Sequence, residues 1–288
     1  MTKACPGPAP TGIPKFKVPP GTTDAHAHIL GPYGRYPLSE NRGYTAPEAP
    51  VEAYKALMAG LGIERTVIVH GGCHGADHSV TFDAIKALWP RARGIASGLP
   101  LDVGDDVLQN MNELGIRGIR LTTFLPGSTP VDDIGEMAQR VETLGWHIQL
   151  LINGPKQMEE LAPKLRGLPV PLVIDAMAEF APPATVNHPG FNALLHLVEG
   201  QNVWVKFIAP HRNSKMGPPW VDMMPFVKAL INIRPDRMIW GTDWPHVAAW
   251  DHMVPDDADL TDWPFYWGVD EATVKSILVD NPARLFKF

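Results

Sequence analysis

Apolar and β-branched residues gather in eight short runs along the chain, at 22–28, 66–70, 94–99, 118–122, 147–152, 172–175, 203–207 and 238–242. Between them lie stretches whose apolar positions recur at helical spacing, at 53–61, 80–88, 107–114, 134–144, 191–199 and 225–233. Such a rhythm predicts a parallel sheet, because parallel neighbours need a crossover connection. Eight strand–helix units predict a (β/α)8 barrel, with an open doubly wound sheet as the alternative. Gly60, Gly62, Gly115 and Gly145 sit where helices should stop and the chain should turn toward the next strand.

Four connections are longer than the rest: 30–50, 176–189, 208–219 and 244–268. Each leaves the carboxyl end of a strand, the face on which barrel enzymes build their sites. Residues 1–20 are rich in proline, which removes backbone donors and disfavours helix, so they read as an irregular arm. Residues 21–288 read as a single barrel domain.

The composition narrows the class. Apolar residues form 45% of the 288 and charged residues 19%, which suits a globular chain with a large core. A net charge of -6 leaves no general basic surface for phosphate backbones, so a nucleic-acid partner is not expected. Cys5 and Cys73 are too few for a disulfide framework and suit a reducing compartment. The first twenty residues lack the apolar stretch of a signal peptide, and no run approaches the ~20 apolar residues of a membrane span. A cytoplasmic protein with a small-molecule ligand is the expectation, and the chain carries no mark of its oligomeric state.

Two strand ends carry candidate chemistry. In the first run, Asp24-Ala25-His26-Ala27-His28, side chains two apart share a face, so His26 and His28 point into one mouth. Paired imidazoles there can ligate a metal, or bind a carbonyl and its emerging oxyanion. The last run ends at Thr242-Asp243-Trp244-Pro245, exposing Asp243 beside the first strand if the sheet closes; a carboxylate so placed can take a proton from water. Alone, each has a structural explanation, a polar strand end for the histidines and a capping role for Asp243. Together, they form the stronger signal. Of the other histidines, His147 begins a strand and belongs to the stability face, while His188, His196 and His252 read as solvated. Trp244, Trp250, Trp263 and Trp267 either wall a pocket or pack the last long loop.

The motifs TDAHAH at 23–28, CHGAD at 73–77, RGIR at 117–120, GTDWPH at 241–246 and NPARLF at 281–286 span nearly the whole chain. In them the sequence resembles the amidohydrolase superfamily, and within it the 2-pyrone-4,6-dicarboxylate lactonase group. That resemblance implies a distorted (β/α)8 barrel and metal-independent hydrolysis of a carboxylated lactone. By the same resemblance His26 and His28 polarise the lactone carbonyl, and Asp243 activates water and returns a proton to the leaving oxygen. Arg120 and Arg212 would grip a substrate carboxylate through the bidentate guanidinium fork. Tyr44 falls where the group places a tyrosine on substrate, and Cys73, His74 and His246 belong with the residues expected to line the pocket.

The pattern breaks at strand six. The family's Asp-His is Asp175-Ala176 here, so the third histidine of the site is missing. Zinc becomes less expected, and one donor to the oxyanion is lost, a change that can cost ~10²–10³ in rate. Ala176 is either a natural replacement compensated by another group or an engineered knock-out. After Arg120 the run LTTFLPGS lacks a further basic residue, and Leu150, Leu151 and Ile152 stand where a substrate tyrosine is expected. The lactone predicted therefore carries fewer or differently placed carboxylates, either related to 2-pyrone-4,6-dicarboxylate or derived from a sugar acid. The alternatives are a lactone isomerase, a zinc-dependent amidohydrolase or decarboxylase, and a catalytically silent binder.

Overall fold

In the computed structural model, residues 2–126, 129–200, 202–250 and 253–288 are described. Eight parallel strands follow one another around a barrel: β1 (Thr23–Ala27), β2 (Arg65–Val69), β3 (Ala92–Ser97), β4 (Ile116–Thr122), β5 (His147–Leu151), β6 (Leu172–Ile174), β7 (Val203–Phe207) and β8 (Met238–Trp240). A two-residue strand, Thr129–Pro130, adds to β4. Helices lie between the strands, beginning with Val51–Leu61 and Ser79–Leu88. Gly62 ends the first of these in the left-handed conformation, φ 75°, its amide donating to the Met58 carbonyl. The fold is the (β/α)8 barrel that the strand–helix rhythm predicted.

The inside of the barrel is apolar at its lower end, where Ala25, Val67, Ile95, Val173 and Ile239 meet Leu285 and Phe286 of the last helix, Asn281–Phe286. Outside, the helices bury a second, larger apolar layer against the strands. Among the helices outside the stretches expected from sequence is Gly154–Leu165. Its Pro155 occupies the first turn, where the missing amide is not needed, whereas Pro163 lies inside the helix and removes one of its amide donors. Among the described residues no helix is long and apolar enough to cross a membrane.

Closure between β8 and β1 sets the site. Among the described residues there is no continuous ladder; the chain just past β8 meets β1 at a bridge from Ala27 to Trp244, with His28 N donating to Trp244 O at 2.7 Å and Asp243 N to His26 O at 2.8 Å. The buried Asp24 carboxylate acts as the staple. Its Oδ1 accepts from the amides of His26 (3.0 Å) and Thr242 (2.9 Å), and its Oδ2 from the hydroxyls of Thr242 (2.6 Å) and Tyr54 (2.8 Å). Strand eight was expected to continue to 242 but stops at Trp240, because Asp24 takes the amide that a ladder would use. A Cβ on Gly241 would lie 2.7 Å from His26 N and 2.9 Å from Asp24 Oδ1, so only glycine permits this approach.

The proline-rich arm is largely irregular and runs against the connections that follow β1 and β8. Ala4 bridges to Thr45, Trp250 Nε1 donates to Ala4 O, and the Asp256 and Asp262 carboxylates take amides at Gly12, Lys15 and Phe16.

Candidate active site

A cavity of about 270 Å3 opens at the carboxyl ends of the strands. All four long connections reach its wall, through Tyr44, Ala176 and Glu179, Ala209 and Arg212, and Val247 and Trp250. His28, Arg120 and Asp243 complete the polar side, while Phe124, Leu151 and Ile208 form an apolar one.

The alternation of β1 sends His26 and His28 to the same face, their rings edge to face with centroids 5.0 Å apart. Asp243 stands just past β8 with φ 66°, a left-handed conformation that Asp tolerates better than most residues, and this turns its carboxylate back over β1. Asp243 Oδ1 is 3.6 Å from His26 Nε2 and 3.7 Å from His28 Nε2. One ligand atom from each of the three lies within 4.8 Å of the others. His28 is oriented from behind by Nδ1, 2.8 Å from the carbonyl of Val69. That acceptor requires a proton on Nδ1. Its Nε2 then faces an anionic oxygen either as the second N–H of an imidazolium or as a lone pair needing a cation between them.

His26 lies beneath the cavity floor and is fully buried. Burial, reinforced by the nearby Lys206 ammonium, pushes its pKa down to about 3, so it is neutral at ordinary pH. Its Nδ1 is 3.7 Å from Asp175 Oδ1, and neither ring nitrogen makes a hydrogen bond among the described residues.

Below this layer runs a buried polar chain that the sequence reading missed. Arg120 Nε and Gln149 Nε2 each donate to Asp175 Oδ2 at 2.9 Å. Lys206 Nζ donates to Gln149 Oε1 at 2.7 Å and to Ala25 O at 2.8 Å, and lies 3.9 Å from Asp175 Oδ1. Burial opposes ionisation of Asp175, but its neighbours, Arg120 foremost, outweigh it and hold the carboxyl below the usual range. Burial lowers Lys206 to about 8, with Asp175 pulling the other way. The signal was a lysine inside the apolar strand Val203-Trp204-Val205-Lys206-Phe207, a position where charge needs a partner.

Arg212 approaches from the connection after β7, its guanidinium 3.4 Å from Asp243 Oδ2 and 2.5 Å from Val247 O. Burial works against an ionised Asp243, yet Arg212 and the His28 contact outweigh it and keep its carboxyl well below the ordinary range.

Of the pocket residues expected from sequence, Tyr44, Arg120 and Arg212 stand on the wall with His28 and Asp243. Ala176 stands there too, in a small apolar patch with Ile208 and Ala209. His26, Cys73, His74 and His246 are not among the residues that line the wall. Cys73 is buried behind Tyr44, whose side chain bonds to it; His74 Nδ1 bonds to Pro37 O at 3.1 Å; His246 Nε2 is 3.1 Å from Asp257 Oδ1. Trp250 walls the cavity, whereas Trp263 and Trp267 are core, packed on Phe207. His147 is buried against Phe286 at the amino end of β5; His252 lies outside the described residues.

An amidohydrolase family model matches residues 23–288. A 4-sulfomuconolactone hydrolase of Rhizobium radiobacter is 39% identical over 291 residues, covering 98% of this chain and 95% of that one. A 2-pyrone-4,6-dicarboxylate hydrolase of Comamonas testosteroni is 36% identical over 284 residues, covering 95% and 92%. Among solved structures, an Agrobacterium tumefaciens protein in its apo form superposes with a TM-score of 0.83 at 26% identity, covering 96% of this chain and 98% of that chain.

Proposed function

The chain belongs to the amidohydrolase family, and from that premise we propose that it hydrolyses a carboxylated lactone with water activated by Asp243. The observation that carries this reading is the convergence of Asp243 with His28 on the wall of one cavity that also holds two arginines. Hydrolase relatives at 36–39% identity over nearly the whole chain support lactone chemistry.

In this reading Arg120 and Arg212 hold the substrate's carboxylate. Arg120 engages Asp175 through Nε, leaving its terminal nitrogens for the ligand. An incoming carboxylate that draws Arg212 off Asp243 also removes the charge that weakens Asp243 as a base. Asp243 then takes a proton from water as the oxygen attacks the lactone carbonyl carbon. His28 donates its Nε2–H to the carbonyl oxygen, where negative charge develops. The tetrahedral intermediate collapses, the acyl carbon–ring oxygen bond breaks, and the ring oxygen recovers the proton from Asp243. The product is a hydroxy acid. His26, beneath the floor, is a positioning residue for Asp243.

The convergence of His26, His28 and Asp243 favours a second reading, in which they hold a divalent cation with an open position. Such a cation would polarise the carbonyl and make water more acidic. The two readings part on one experiment. Protein freed of metal by chelation is assayed by NMR for ring-opened hydroxy acid over a panel of carboxylated lactones. Full turnover with less than ~0.1 metal per chain supports the metal-free reading. Turnover that is lost and then restored by a divalent cation contradicts it, and binding without turnover under both conditions contradicts hydrolysis. An acyl-shifted lactone as product would assign an isomerase instead.

A further inference from the structure

Residues Ala176, Met177, Ala178 and Glu179 follow β6 with φ of 47°, 52°, 55° and 57°, four successive left-handed residues, none of them glycine. A left-handed backbone is unfavourable for each of these side chains, so the turn persists only because its surroundings impose it. Its consequence is positional: the first and last residues of the turn, Ala176 and Glu179, both face the cavity. At Ala176 the wall is apolar and carries no charge. Glu179 brings a carboxyl group to the wall that no hydrogen bond or ion pair engages among the described residues.

Among the described residues, the wall carries two guanidinium and two carboxylate side chains: Arg120, Arg212, Asp243 and Glu179. Arg120 already shares its charge with Asp175 and Arg212 with Asp243. Among the described residues, Glu179 is therefore the wall carboxylate without a guanidinium partner. A ligand carrying one acidic group can settle between the arginines, while a second acidic group on the same ring is carried toward a carboxylate.

We propose that Glu179 is a specificity-determining residue, which restricts the site to lactones bearing a single anionic group and binds a hydroxyl on the remainder of the ring. This rests on the reading of the cavity as a lactone site. An oxidised sugar lactone, with one carboxylate and free hydroxyls, has this chemistry, whereas a ring dicarboxylate lacks it. Burial raises the Glu179 carboxyl above the ordinary range, Arg212 pulling against that and Asp243 adding to it, as expected of a carboxylate with no donor of its own.

The test measures equilibrium binding of two probes that cannot be hydrolysed, benzoate and benzene-1,3-dicarboxylate, at pH 8. The proteins are the full chain, Glu179→Gln and Glu179→Arg. The ratio of the two affinities within each protein cancels any general loss of binding or of folded material. The natural protein should prefer benzoate. The preference should fall by at least about tenfold in Glu179→Gln, since like charges placed together cost a kcal/mol or more, and should reverse in Glu179→Arg. An unchanged ratio in both variants overturns the proposal. Failure of the natural protein to open any lactone would overturn the hydrolase reading instead, and leaves this ratio measurable.

Discussion

Lys206→Met tests the buried layer that supports the site. The side chain is fully buried, and methionine fills most of its volume without its charge. Two opposing contributions follow. Removing the ammonium leaves Gln149 Oε1 and Ala25 O without this donor and takes a cation from Asp175, a type of loss that costs about 3–5 kcal/mol. Against that, the charge itself is held at a cost: Lys206 titrates at about 8 in the fold against an ordinary 10.5, a difference equivalent to about 3 kcal/mol. The net change near pH 7.5 is thus small, a loss of about 0–2 kcal/mol.

The pH dependence carries the sharper sign. Between 8 and 10.5 the unfolded chain binds this proton and the folded chain does not, so raising the pH stabilises the natural fold. From pH 7.5 to 10 the natural protein should gain about 2 kcal/mol relative to Lys206→Met. Urea unfolding of both proteins at several pH values reads this directly, because titrations common to the two cancel in the difference. A difference in stability that stays constant over that range would refute a buried, ionised Lys206.

Other substitutions probe the strand junction and the base. Gly241→Ala should cost about 1–3 kcal/mol and lower kcat together, because the new Cβ falls 2.7 Å from His26 N and pushes β8 off β1; unchanged unfolding and kcat would mean the junction is loose. Arg212→Gln removes a charge that holds the Asp243 carboxyl down, so that carboxyl rises and the acid limb of kcat/KM moves to higher pH. A limb that stays in place would detach Arg212 from the base.

Much of this site was legible in the sequence, and the reasons are local. His26 and His28 could be assigned to one face because strand periodicity is strict, and Asp243 could be set beside them because an eight-stranded parallel sheet brings its last strand to its first. Arg120 and Arg212 follow from lying at or just beyond strand ends. Cys73, His74 and His246 were placed by motif alone, and motif does not say which way a turn points; all three are absorbed by neighbours behind the wall. Glu179 escaped notice because its position depends on four successive left-handed residues, a conformation that Ala-Met-Ala-Glu does not announce. Lys206 was visible as a charge within an apolar strand, but its partners, Gln149 and Ala25, lie across the barrel and far away in the chain. Helix 154–165 was hidden by its prolines, of which Pro155 falls in the first turn, where no amide is needed, and Pro163 lies inside the helix.

Asp243→Asn bears most directly on the central claim. The amide keeps the shape of the side chain and abolishes its capacity to take a proton from water. On a lactone that the natural protein opens, kcat should fall by about 10²–10⁴ while the affinity for that lactone changes less than about tenfold. Turnover by Asp243→Asn at close to the natural rate would contradict the account at its root.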